Sequence, residues 1–235
     1  MDNKTQSISA KLLIKELKLL SDPSYIPTMS KFGINTKSCL GIKIPTLRGI
    51  AKRIGKNNEL AASLWDLDIH EARILSIFIA NPKTISQNTL YKWIGQIDSW
   101  DICDALCGSI LWKYDKDFDL AIMLTKKEAQ YQKRAGFSLI AYHSLNSPNI
   151  SVEVFNRFIR AIESEADDER NFVKKSVNWA LRQIGKRSLE LNALALNCAK
   201  KLKESDSKSA RWVGSDAYRE LSSAAVVARL KKQCQ

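Results

Sequence analysis

Two short stretches carry residue types that could do chemistry. The first is Asp98-Ser99-Trp100-Asp101-Ile102-Cys103-Asp104. If it opens a helix, Ser99 or Asp98 supplies the cap, and Trp100 and Asp104, four residues apart, share one face. An aromatic surface and a carboxylate would then address the same ligand. The competing reading packs Trp100 into the core and leaves Asp98 or Asp101 to stabilise the helix N-terminus through its dipole. Asp104 fits that account less well. It lies beyond the first turn and precedes Ala105 and Leu106, so an inward carboxylate needs a partner or a purpose.

The second stretch runs from Asp168 to Arg187. Within it Lys175, Trp179 and Arg182 recur at i, i+4 and i+7, a basic and aromatic stripe able to touch phosphate and sugar together. A solvated helix face with one core tryptophan fits the same spacing. Between the two stretches, Lys133 and Arg134 interrupt the start of an otherwise apolar helix. A phosphate clamp and a solvated helix start both suit them.

The elements that must position these residues read as helices almost throughout. The chain has nine Gly and five Pro; strand-like alternation is scarce, whereas the 3.6-residue apolar period recurs. It predicts an all-α fold with helices near 5–20, 23–31, 46–55, 58–65, 69–80, 86–95, 99–112, 115–124, 127–143, 150–163, 168–186, 189–203 and 207–231. Connections such as Asn81-Pro82-Lys83 and Asn146-Ser147-Pro148-Asn149 are short and polar, so neighbouring helices should pair antiparallel. Nothing reads as an interdomain linker, and we expect residues 1–235 to form one domain. Trp65-Asp66 recurs as Trp100-Asp101, 35 residues on, close to one helical-hairpin repeat. Stacked hairpins would make an α-α superhelix whose concave face suits a cylindrical ligand.

Charge supports a polyanionic partner. Lys and Arg number 37 against 25 Asp and Glu, a formal net charge of +12. Phosphates held by such side chains release counterions and give sequence-independent affinity. Other classes are disfavoured. No stretch approaches the roughly 18–20 apolar residues of a membrane span, so we expect no membrane partner. The polar start Met1-Asp2-Asn3-Lys4 lacks the apolar core of a signal peptide, which predicts a cytoplasmic protein. Five cysteines (Cys39, Cys103, Cys107, Cys198, Cys234) and two histidines (His70, His143) form no zinc-ligand pattern. Cys103 and Cys107, one turn apart, read as buried thiols rather than half a metal site.

Taken in order, several short elements resemble one family. They are Gly41-Ile42-x-x-Pro45-x-x-Arg48, Leu64-Trp65-Asp66-Leu67, Ser99-Trp100-Asp101-x-x-Asp104, Arg134-Ala135 and Lys174-Lys175-x-Val177-x-Trp179-x-Leu181-Arg182. Together they resemble the bacterial DNA alkylation repair glycosylases of the AlkD type, over roughly residues 35–190. The resemblance implies a HEAT-like-repeat solenoid with a basic concave groove for double-stranded DNA containing alkylated bases. It implies a catalytic cleft of Trp100, Trp179 and Asp104 with Arg134 nearby. Arg134, Lys174, Lys175, Arg182 and Arg48 would then be DNA-binding residues, and we expect a monomer. Cys103 and Cys107 beside Asp104 depart from the family's pattern, and Arg211-Trp212 lies beyond the matching region.

The chemistry so implied is coherent. A 3-methyladenine or 7-methylguanine nucleotide is cationic, so its base leaves readily. Hydrolysis builds oxocarbenium charge on the deoxyribose, which Asp104 would stabilise while positioning water. Trp100 and Trp179 would present electron-rich faces to that charge. The reaction calls for no metal or organic cofactor, and the resemblance implies that the base need not be flipped out. Two other functions use the same scaffold: a non-catalytic protein that binds distorted or branched DNA, and an interaction solenoid for an acidic peptide. Neither calls for the carboxylate of Asp104.

Overall fold

The computed structural model describes residues 9–233. Residues 5–8 of the first expected helix, and Cys234, lie outside them. The described residues are helical, without strands, and fall into two compact units that divide between Tyr114 and Asp115.

The first unit contains α1 (Ala10–Leu19), a 3-10 turn (Pro23–Tyr25), α2 (Ile26–Lys31), α3 (Ile44–Ile54), α4 (Asn58–Trp65), α5 (His70–Ile79), α6 (Gln87–Gly95) and α7 (Trp100–Leu106). A π-helical turn (Cys107–Leu111) and α8 (Trp112–Tyr114) complete it. The helix α5 is its centre: Ile74, Leu75, Ile77 and Ile79 are all buried, and α3, α4 and α7 pack around them. Local chemistry sets several starts. The side chains of Ser9, Asn57 and Ser86 each accept a backbone N–H of the helix they precede. Trp65, fully buried, stacks on Trp93 with ring centroids 4.5 Å apart and donates its indole N–H to Gln96. Losing such a side chain costs about 3–5 kcal/mol.

The second unit contains α9 (Asp119–Thr125), α10 (Gln130–Asn146), α11 (Val152–Glu165), α12 (Asn171–Gly185), α13 (Leu189–Lys203), α14 (Lys208–Leu221) and α15 (Ala224–Gln233). The long helix α10 is buried nearly all round, from Lys133 through Ala141. Its buried residues therefore lie on every side rather than on one stripe, and they include the polar Lys133, Arg134 and Ser138. Gly136 lets α10 approach the backbone of α9, and Gly214 lets α14 approach α13; a Cβ at Gly214 would sit 2.6 Å from the Ala199 oxygen. Ser151, Ser188 and Ser207 cap α11, α13 and α14.

Three sequence expectations are corrected. Trp65 closes α4 whereas Trp100 opens α7, so the two Trp-Asp pairs are not equivalent positions of a repeat. The expected helix over 115–124 starts only at Asp119, because the carboxylate of Asp115 accepts the N–H groups of Leu120 and Ala121 at 3.1 Å each. The expected helix over 207–231 breaks at Ser222 and Ser223. Their hydroxyls donate to the carbonyls of Tyr218 and Glu220, at 2.7 Å in both cases, and so compete with helix continuation.

Candidate functional site

The start of α7 is held by a polar network that fixes where Trp100 and Asp104 lie. Ser99 is the N-cap residue, but its hydroxyl accepts no backbone N–H; it donates to Asp101. Asp101 accepts from the N–H of Ile102 at 3.0 Å and contacts His70 Nε2 at 2.9 Å. Asp98 accepts from Asn35 and lies 3.5 Å from Arg73, which also pairs with Asp68 at 2.6 Å. Burial would raise the Asp101 carboxyl, but hydrogen bonds from His70, Ser99 and Ile102 hold it below the usual carboxylate range. Burial opposes a charge on His70 too, yet Asp101, Glu71 and Asp98 push its ring above the ordinary value of 6.5. Asp98 and Asp101 thus serve the scaffold. Asp104 stands one turn further along, half-buried, on the face that carries the half-buried Trp100. Trp100 donates its indole N–H to the Phe32 carbonyl at 3.0 Å, which ties the ring to the end of α2.

The Gly41–Arg48 element proves to be a cradle. Gly41 adopts φ +80°, and a Cβ there would run into the Asp22 backbone. The carboxylate of Glu71, almost fully buried in α5, accepts the N–H groups of Leu40, Gly41 and Ile42 at 2.8, 2.8 and 3.2 Å. Pro45 follows in the first turn of α3, where its missing N–H costs nothing. This places Arg48 on the exposed side of α3 with its guanidinium 4.6 Å from the Phe78 ring centre. Sequence reasoning missed Glu71; the available signal was the charged cluster His70, Glu71 and Arg73 at the start of a helix that is apolar from Ile74 onward apart from Ser76.

In the second unit Lys133 and Arg134 are buried, which overturns the solvated-start reading of that pair. Lys133 pairs with Glu165 at 2.6 Å and Asp168 at 3.5 Å, and Arg134 donates to the Phe172 carbonyl at 2.7 Å. On α12, Lys175 is exposed and Lys174 stands over the Trp212 ring at 5.2 Å. Trp179 is half-buried and meets Tyr142 edge to face, 5.1 Å between centroids. Arg182 turns toward α14, where it pairs with Glu220 and lies 3.6 Å from Asp216. Burial would raise the Glu220 carboxyl, but Arg182 and Lys186 hold it low. The stripe read from the sequence therefore divides: its first two members face outward in part, and its third is engaged with acids of the same unit.

Cys103, Cys107 and Cys198 are buried, none in a disulfide. Burial and the Glu163 charge push the Cys198 thiol up to about 12. Among the described residues no group of three or more His, Cys, Asp or Glu could hold a metal ion, and no helix is long and apolar enough to cross a membrane.

A family model described as "DNA alkylation repair enzyme" matches residues 13–221. The chain belongs to that family. Two of its relatives are the uncharacterized proteins Lin0241 of Listeria innocua and Lmo0209 of Listeria monocytogenes. Each is 24% identical over 189 residues, covering 79% of this chain and 82% of the relative. Among solved structures, one is described as a new family of proteins related to the HEAT-like repeat DNA glycosylases with affinity for branched DNA structures. It superposes with a TM-score of 0.74 at 20% identity, over 82% of this chain and 83% of its own. Another, smu.31 from Streptococcus mutans UA159, gives a TM-score of 0.52 at 18% identity over 91% and 93% of the two chains. These likenesses show that this DNA alkylation repair family member has a HEAT-like helical fold.

Proposed function

We propose that the protein is a DNA glycosylase that hydrolyses the N-glycosidic bond of cationic alkylated purines, 3-methyladenine and 7-methylguanine, in double-stranded DNA. The observation that carries this reading is the family match across residues 13–221 in a chain that retains Trp100, Asp104, Arg134 and Trp179. In this reading the carboxylate of Asp104 stabilises positive charge at C1′ as the bond breaks and orients the water that adds there. The base leaves neutral with the bonding electrons, the added water loses a proton to solvent, and no base flipping is needed. Trp100 and Trp179 offer aromatic faces to the cationic sugar. Arg134, Lys174, Lys175, Arg182 and Arg48 serve the backbone phosphates, with Arg134 turning out of its buried place at the Phe172 carbonyl and Arg182 leaving Glu220 to do so.

The test is release of methylated bases from duplex DNA by the wild type and by Asp104→Asn. The variant keeps size and removes charge; a contribution of about 2–4 kcal/mol corresponds to a loss of about 30-fold to 1000-fold in rate with binding kept. Equal excision by both proteins would remove Asp104 from the assignment. A second reading is favoured by the structural neighbour with affinity for branched DNA: a non-catalytic scaffold for branched or distorted DNA. Wild-type protein that binds DNA and releases no base would establish it instead.

A further inference from the structure

Within the first unit lies a cavity of about 490 Å³, of whose lining residues only Arg48 has a role in the proposed function. Arg48 and Lys52 of α3, Lys56 just beyond it, and Lys113 of α8 line it, with Phe78, Gly108 and Ser109. Four cations converge from two stretches of chain, no carboxylate lines the cavity, and among the described residues none of the four is in an ion pair. The negative end of the α3 dipole accounts for Lys52 and Lys56; it does not account for Arg48, nearer the middle of that helix, or for Lys113. Lys56 is anchored, donating to the carbonyls of Phe78 and Ala80 at 2.8 Å each. An ammonium has three donors, so one remains for a ligand. Arg48 is steadied by the Phe78 ring and Lys113 by Trp112, whose N–H is in turn fixed on the Gly108 carbonyl at 2.9 Å. Burial and the nearby Lys113 charge lower the Lys56 ammonium, as expected where like charges lack a counter-ion.

The cavity has a defined place relative to Asp104. One turn beyond Asp104 is residue 108 in α-helical register and residue 109 in π-helical register, and both line it. One turn is about 5–6 Å between like atoms, close to a single phosphate-to-phosphate step of a DNA strand, which winds about the axis as it rises about 3.4 Å.

We propose that this cavity is a phosphate site that holds one backbone phosphodiester of a DNA strand, next to the nucleotide addressed by Asp104. Arg48 offers the planar fork that suits two phosphate oxygens, and Lys52, Lys56 and Lys113 supply point charges around it. The cavity rests on the reading of the protein as one that acts on DNA, and it holds for either the glycosylase or the scaffold form of that reading.

The experiment compares the full-length protein with Lys52→Gln/Lys113→Gln. A second double variant, Lys11→Gln/Lys83→Gln, removes the same charge from exposed positions outside the cavity. Binding to an undamaged duplex is followed by fluorescence anisotropy across a salt series, and circular dichroism checks helicity. Loss of one phosphate contact lowers the slope of log affinity against log salt by about 0.9, which is about 8-fold in affinity at 0.1 M salt. That result is expected for the cavity variant, with the outer variant close to wild type. A slope equal to wild type, or equal drops in both variants, overturns the site. Absence of base release by the wild type defeats the glycosylase reading and leaves the slope comparison to decide the cavity. Absence of duplex binding by the wild type overturns both.

Discussion

Replacing Glu71 tests whether the loop before α3 is held as described. Its Oε1 accepts from Gly41 and Ile42 and its Oε2 from Leu40. In Glu71→Gln one oxygen can still serve Gly41 and Ile42, but an amide N–H then faces the N–H of Leu40, and all three bonds lose their charge assistance. A hydrogen bond to a charged group is worth about 1.5–3 kcal/mol against about 1 for a neutral pair. One bond lost and two weakened sum to about 2.5–7 kcal/mol, and a cost near the low end, about 3 kcal/mol, is expected because the loop can relax around the amide. At about 2–4 °C per kcal/mol for a chain of this length, Tm falls by about 6–12 °C. Chemical denaturation gives the free energy, and hydrogen exchange locates it: amides of residues 40–54 should lose protection first, because α3 hangs from this loop. Duplex affinity should fall with it, since Arg48 rides on α3. A loss under about 0.5 kcal/mol, or exchange unchanged at Gly41 and Ile42, would refute the account of Glu71 as the anchor of that loop.

Further outcomes can be checked separately. Gly136→Ala should destabilise by about 1–3 kcal/mol despite the better helix propensity of alanine, because its Cβ meets the backbone of Leu124 at 2.8 Å and of Ala121 at 2.9 Å. Gly49→Ala, with nothing within 4 Å, should stabilise by up to about 1 kcal/mol in the same denaturation assay. The His70–Asp101 pair sets a pH window. Its His70 contribution is fully present below 6.5 and is lost as pH rises through the raised folded value; its Asp101 contribution is present above 3.8 and is lost as pH falls through the lowered one. The stability difference between wild type and His70→Gln should therefore shrink as pH rises above neutrality, and a constant difference would contradict the pairing.

What the sequence determined by itself is local. The apolar period and the caps at Asn57, Ser86, Ser151, Ser188 and Ser207 set an all-helical chain, and α4 and α13 span the residues read from that pattern. Trp100 and Asp104 share a helix face for the same reason: helical spacing is a property of neighbours. Tertiary structure decided what depends on partners tens of residues away. Lys133 and Arg134 look like a solvated helix start until Glu165, Asp168 and the Phe172 carbonyl are brought to them. Arg182 belongs to a phosphate stripe by spacing and to Glu220 by packing. The four cations around the cavity gain meaning only when α8 brings Lys113 to α3. A buried charge is tolerated only with a partner or a ligand. Helical periodicity says which face a residue occupies, but the identity of that partner is a long-range fact, written in how the helices pack.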